Sequence, residues 1–208
     1  MHLKIQNIPK SWPTKRKGKR YVVVASHDKN SGIPLLIIIR DLLKLAENRK
    51  EVKKILNSGE VSVNGKKRKE EKLSVLPGDI INIGNKIYHL SFSEKGKLIV
   101  EETKNLDKVF KIINKTLIKN KKIQLNLSQG KNILLDKDEK LKTGDSIILK
   151  DNKISKIIPL EKGREVLLIK GKNKGKQGKI EEINEGTATI SLKDKKIEIP
   201  TKHLIVIK

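Results

Sequence analysis

The spacing of apolar residues changes character at Pro34. Ahead of it, residues 1 to 33 are rich in Pro, Gly and Lys, hold one apolar stretch, Tyr21 to Ala25, and show no helical period. Behind it, Leu35, Leu36, Ile38, Ile39, Leu42, Leu43 and Leu45 make a broad apolar face interrupted by Arg40, Asp41 and Lys44, with Pro34 at the first helical position. That pattern predicts a short, well-buried helix. Asn48 followed by Glu51 has the spacing of a capping box, and Val52, Ile55 and Leu56 then fall at i, i+3 and i+4 before Gly59, which predicts a second helix ending there. Val61 and Val63 alternate into Asn64-Gly65, a type I′ hairpin signal because both central residues need φ > 0. Pro77-Gly78-Asp79 predicts a tight turn into a returning strand, Ile80 to Ile83.

From residue 86 the pattern is a succession of short β-like runs: Ile87 to Phe92, Leu98 to Glu101, Val109 to Ile113, Ile123 to Leu127, Asn132 to Leu135, Ser146 to Leu149 and Ile154 to Ile158. Strands this short at this spacing predict a small barrel or sandwich and not a parallel sheet. Leu141-Lys-Thr-Gly-Asp-Ser-Ile-Ile148 echoes Leu76-Pro-Gly-Asp-Ile-Ile81, although a Gly-Asp turn entering an Ile-rich strand recurs easily. The last stretch runs from Val166 to Ile169 into the glycine-punctuated Lys170-Gly-Lys-Asn-Lys-Gly-Lys-Gln-Gly-Lys-Ile180. Each glycine there supplies either φ > 0 or a close backbone approach. A phosphate-binding P-loop needs four residues between its glycines and a hydroxyl after its Lys; here three separate Gly171 from Gly175, and Gln177 follows Lys176. The chain divides into an arm at 1–33, an α/β module at 34–85, a central β-rich domain at 86–160 and a terminal small barrel at 161–208.

Charge narrows the function. The 208 residues carry 48 Lys plus Arg against 24 Asp plus Glu, a formal net charge of +24. Such a chain expects a polyanionic partner, and nucleic acid offers phosphates in a dense line. The longest apolar run, Leu35 to Ile39, is far short of the ~18 residues that span a bilayer, and Met1 to Arg20 shows no signal-peptide core, so the expectation is a soluble, intracellular chain without a membrane partner. With no Cys, disulfides and thiolate metal sites are excluded. Aromatic residues are 2% of the chain, which leaves few stacking platforms and favours recognition of RNA shape and backbone.

The basic candidates fall into clusters. In the arm they are Lys10, Lys15, Arg16, Lys17, Lys19 and Arg20; like-charge blocks of this kind also serve as solubilising tails. Trp12, between Lys10 and Lys15, either stacks on a base or packs on the next domain. The second helix presents Arg49, Lys50, Lys53 and Lys54 opposite its apolar face, with Glu51 the only acid within it, so helical pairing cannot neutralise the set. Lys66, Lys67, Arg68 and Lys69 follow the hairpin turn, and Lys119, Lys121 and Lys122 offer charge alone.

Leu35 to Lys44, Glu51 to Asn57, Gly59-Glu-Val-Ser-Val-Asn-Gly-Lys66 and Leu76-Pro-Gly-Asp-Ile80 together resemble the S4 RNA-binding domain. By motif position that resemblance assigns RNA contacts to Arg40, Lys44, Arg49, Lys50, Lys53, Lys54, Asn64, Lys66, Lys67 and Arg68. Glu165 to Ile183 resembles the KOW motif, which adds Lys170, Lys172, Asn173, Lys174, Lys176 and Lys179. Taken in order, with His2-Leu-Lys4, Pro9-Lys-Ser-Trp12, Gly32 to Lys44, Gly65 to Arg68 and Pro77 to Asp79, the whole chain resembles the small-subunit ribosomal protein S4e family of archaeal and eukaryotic type. The implied fold is α+β and multidomain: an S4-type α/β RNA-binding module followed by small mainly-β barrels, a central β domain and an SH3-like KOW barrel. The implied function is a structural constituent of the small ribosomal subunit, bound to the 5′ domain of its rRNA beside neighbouring ribosomal proteins, supporting assembly and translation on cytoplasmic ribosomes. Compared with typical members the chain is short at both ends, so contacts made by longer tails are expected to be absent.

No enzyme, cofactor, metal or small-molecule substrate is expected. His2, His27, His89 and His203 lie far apart without ligand-like or triad-like pairing, Glu181-Glu182 sits among lysines, and 86–160 is too short and fragmented for the catalytic domain that S4-bearing pseudouridine synthases carry. The alternative is a dissociable RNA-binding factor of the RNA chaperone or transcription elongation type.

Overall fold

The Asn-Gly and Pro-Gly-Asp turns are the joints around which the first half of the chain folds. In a computed structural model, which describes residues 2–18, 20–103, 108–118, 122–135, 141–150, 153–192 and 195–207, the chain forms two compact units, Met1–Leu106 and Asp107–Lys208.

In the first unit, β1 (His2–Lys4) pairs with β2 (Tyr21–Val23), and β3 (Ile33–Pro34) pairs with β6 (Ser74–Val75). The main sheet runs in the order β5 (Lys66–Lys67), β4 (Val61–Val63), β7 (Ile80–Ile83), β8 (Lys86–Phe92), β9 (Leu98–Glu102), all antiparallel. The main sheet runs across the division expected at residue 86. The two strands expected to open a central domain hydrogen-bond instead into the first unit's sheet, β8 along the whole of β7 and β9 along β8. Their alternation buries Tyr88, Leu90, Phe92 and Leu98 in the same core as the helices.

The first helix is α1 (Leu35–Ile37), prolonged by a wider π-helical turn, Ile38–Leu42. Leu35, Leu36, Ile37, Ile38 and Ile39 have no exposed surface; five consecutive apolar residues surround this helix with core on every side. The wide turn closes with Leu43 N–H donating to Ile38 O and Leu45 N–H to Ile39 O, at 2.9 and 3.0 Å, and Lys44 turns to φ 54°. That ends the apolar face early. Leu45, expected on it, is 46% exposed. The second helix, α2 (Arg49–Asn57), begins as its capping residues predict: Asn48 Oδ1 accepts the Glu51 N–H at 3.0 Å, while Glu51 Oε2 reaches back to the Glu47 N–H at 2.7 Å.

Asn64 and Gly65, at φ 53° and 76°, make the left-handed pair of the hairpin turn. Asp79 is buried, and its carboxylate accepts the Leu76 N–H at 2.7 Å and the Asn64 amide at 2.9 Å. In the second unit Asp145 does the same work, accepting the Lys142 and Leu160 N–H groups, both at 2.9 Å, after Gly144 at φ 102°. The sequence echo between Pro77-Gly-Asp79 and Thr143-Gly-Asp145 is thus a repeated turn in which an Asp side chain closes its own loop.

The second unit holds two five-stranded antiparallel sheets. One has the order β12 (Asn132–Leu135), β11 (Ile123–Leu127), β10 (Lys108–Leu117), β13 (Ser146–Lys150), β14 (Lys153–Ile158); the other has β18 (Lys196–Pro200), β17 (Thr187–Ser191), β16 (Gln177–Asn184), β15 (Glu165–Leu168), β19 (Leu204–Val206). Each sheet has its own apolar cluster, one around Leu125 and Ile147 and the other around Val166, Leu168 and Ile190. Polar groups stitch the sheets together. Lys111 Nζ donates to the carbonyls of Thr201 and Leu204, the latter at 2.9 Å, and Ser146 Oγ accepts the Val206 N–H at 3.1 Å.

Candidate nucleic-acid interface

Residues 1–33 are anchored to the first unit. Leu3, Ile5, Ile8, Trp12 and Val22 pack into or against its core. Trp12 is 3% exposed and its Nε1 donates to Gly32 O at 2.9 Å, so of its two expected roles the structure shows packing on the next element. The cations around it, Lys10, Lys15, Arg16, Lys17 and Arg20, are exposed; Arg16 also donates to Ile8 O at 3.2 Å. Lys19 lies outside the described residues.

On α2, burial of Val52 and Leu56 fixes which side meets water, and Lys50, Lys53 and Lys54 stand exposed on it. Among the described residues none of the three makes an ion pair. Arg49 behaves differently, because Glu71, from outside the helix, supplies the acid that α2 lacks. Arg49 Nε donates to both Glu71 oxygens at 2.9 and 2.8 Å, and its Nη2 adds a third bond. The guanidinium holds the Glu71 carboxyl below the usual range, and Glu71 in turn raises Arg49. Arg49 thus holds a carboxylate of its own fold while its side chain stays 54% exposed, and Arg40 is forked onto Asp41 with both bonds at 2.9 Å.

Asn64 also has structural employment: its amide donates to Asp79, and its Oδ1 accepts the Ile80 N–H at 3.1 Å. Lys66 and Lys67 are exposed on the edge strand β5, Arg68 is half-buried, and Lys44 is exposed. Lys67 Nζ comes within 3.9 Å of where a Cβ on Gly59 would sit, which brings the hairpin's charge to the C-terminal end of α2.

In the second unit the loop between β15 and β16 holds the other cluster. Gly171 and Gly175 adopt φ 86° and 89°, and the Gly175 N–H donates to Leu168 O at 2.8 Å. Gly178 serves close approach: a Cβ there would meet Ser191 O and Ile190 Cγ2, both at 2.6 Å. The loop is pinned at both ends, and Lys170, Lys172 and Lys179 project into solvent with Asn173, Lys174 and Lys176 half-buried between them. Of the central candidates, Lys119 and Lys121 fall outside the described residues, and Lys122 is exposed. Among the described residues no group of three or more His, Asp or Glu is placed to hold a metal ion.

Family models match this chain in three consecutive segments: the S4 domain at residues 35–81, ribosomal family S4e at 84–157 and the KOW motif at 162–193. The small ribosomal subunit protein eS4 of Methanocaldococcus jannaschii is 38% identical over 197 residues, covering 88% of this chain and 81% of that protein. This chain belongs to the ribosomal S4e family. The eS4 protein of Methanocella arvoryzae is 39% identical over 190 residues, covering 88% of this chain and 80% of its own. The crystal structure of the 30S ribosomal protein S4e from Thermoplasma acidophilum superposes with a TM-score of 0.73 at 29% identity, over 86% of this chain and 96% of that one. The S4 match ends at β7 and the S4e match begins just before β8, whereas the sheet runs unbroken across that point.

Two aspects of the site escaped the sequence reading. Glu71 was invisible as Arg49's partner because it lies 22 residues away. Tyr21 was read only as part of an apolar stretch, yet it is 42% exposed.

Proposed function

We propose that this chain is a structural constituent of the small ribosomal subunit, binding rRNA without catalysis through two cationic surfaces: the α2 and hairpin lysines of the first unit and the β15–β16 loop of the second. Membership of the S4e family carries the ribosomal part of this reading. The division of cations carries the rest. Arg40 and Arg49 are paired with carboxylates of their own fold, whereas Lys50, Lys53, Lys54, Lys66 and Lys67 are exposed on α2 and β5 with no ion pair among the described residues. A lysine is a strongly hydrated point charge that neutralises a phosphate without demanding one geometry, which suits recognition of a folded RNA by backbone and shape.

The finer reading is that the RNA is the 5′ domain of the small-subunit rRNA, that binding supports assembly, and that the bound particle is cytoplasmic. Hydroxyl-radical footprinting of cognate small-subunit rRNA with the purified chain tests it. Protection concentrated in the 5′ domain is expected; protection confined to other domains would overturn the assignment.

A further inference from the structure

The chain has five Phe, Tyr and Trp residues, and four of them are core: Trp12 and Phe110 at 3% exposure, Tyr88 and Phe92 at 7%. Tyr21 is the exception, 42% exposed at the start of β2. Its position follows from strand alternation. Leu3 pairs with Val22 and both turn toward the core, so Lys4 and Tyr21, the next pair, stand on the outer face of the β1–β2 ribbon. His2 meets the Tyr21 ring edge to face, with centroids 4.3 Å apart and planes at 68°, and the Arg20 guanidinium lies over the ring, 5.5 Å from its centroid. Beside them is a cleft of about 590 Å³ lined by Lys4, Ile5, Gln6, Gly18 and Arg20.

This juxtaposition has the parts of a nucleotide site. An aromatic ring stacks a base whatever its identity, and with Arg20 lying over one face of Tyr21 the base takes the other, while Arg20 and Lys4 meet the phosphate. The His2 ring packs at a steep angle to the phenol and leaves Tyr21 42% exposed. Gln6 adds an amide that can donate to or accept from a base edge. A duplex does not supply such a ligand, because its bases are stacked on one another; an unpaired or bulged nucleotide does.

We propose that Tyr21, Lys4 and Arg20 form the seat of one unstacked RNA nucleotide, its base on the phenol ring and its phosphate between the two cations. The inference rests on the rRNA-binding reading above and adds to it a contact of different physics, stacking, made by residues of β1, β2 and the residue before β2.

The test titrates the full chain with cognate small-subunit rRNA across a range of salt concentrations, using Tyr21→Leu, Tyr21→Phe and Lys4→Gln, with the melting temperature of each as a folding control. Tyr21→Leu is expected to bind about 5- to 100-fold more weakly with an unchanged salt slope, since stacking releases no counterion. Tyr21→Phe should bind within about twofold of the parent, because the ring face is kept, and Lys4→Gln should lower the slope by about one. Photo-crosslinking of the same complex through 4-thiouridine should place Tyr21 in a crosslinked peptide. Native affinity in Tyr21→Leu, or crosslinks only at α2 and the β15–β16 loop, would overturn the inference while leaving rRNA binding intact. Failure of the parent chain to bind the rRNA would overturn both.

Discussion

Replacing Lys50, Lys53 and Lys54 together by Gln separates the α2 cations that make no ion pair from the one that pairs with Glu71. All three are exposed, and the helix they stand on is held by Val52 and Leu56 and capped by Asn48, none of which the change touches. If each lysine neutralises one phosphate, the slope of log K against log salt should fall by roughly two to three, taking about 0.7 to 0.9 per contact. Between 50 and 200 mM salt the parent would then lose roughly 20- to 40-fold more affinity than the variant, so the gap between them narrows as salt rises. Arg49→Gln is the internal control. Its guanidinium is occupied by Glu71, so the slope should change by much less than one, while the melting temperature falls because a buried carboxylate loses its partner. Filter binding or fluorescence anisotropy with cognate rRNA at four or more salt concentrations reads the slopes. The reasoning fails if the triple variant keeps the parent slope, or if Arg49→Gln lowers the slope as much as each lysine does.

Three further outcomes follow from the packing. Trp12→Ala should destabilise the first unit by about 3–5 kcal/mol, as loss of a buried indole does, and leave the salt slope alone; weaker RNA binding at unchanged stability would restore a stacking role to Trp12. Gly178→Ala should cost about 1–3 kcal/mol from overpacking against Ser191 O, read by urea denaturation, and a neutral result would mean β16 and β17 can separate there. Burial lowers the Lys111 amine to about 8 from its ordinary 10.5. Between those values the unfolded chain holds a proton that the folded chain lacks, so stability should rise with pH from about 8 to 10.5, by up to about 3 kcal/mol, and should not rise from this source below pH 8. A neutral amine still has two N–H groups for the carbonyls of Thr201 and Leu204. Lys111→Met should abolish that pH-dependent increment, measured as the difference between variant and parent; an identical increment in both would assign it to other groups.

What was legible in the sequence was local. The capped second helix, the Asn64-Gly65 hairpin, the Pro-Gly-Asp turn and the strands from Lys86 onward each depend on residues within a few positions of one another, and each formed as its signal predicted. The glycine pattern of the β15–β16 loop was readable for the same reason, although which glycines serve φ and which serves closeness needed the structure. What depended on distant pairing was not. Alternating Ile and Leu identify β8 and β9 as strands but not the sheet they join, and the choice of β7 as neighbour decided their domain. Residues 1–33 carry no helical period, so their anchoring, by β1–β2 pairing and by Trp12 reaching Gly32, could not be seen locally. Charge counting identified the basic clusters but could not tell which cation is ion-paired within the fold, because Glu71 reaches Arg49 from 22 residues away. Leu45 fits the apolar spacing and was lost to a left-handed Lys44 that no spacing announces.

The most direct test of the central claim is sedimentation of the tagged chain from its native cells on a sucrose gradient at moderately high salt. As an integral constituent it should remain in the small-subunit peak at near one copy per particle; a position at the top of the gradient would contradict the account and indicate an RNA-binding factor that dissociates.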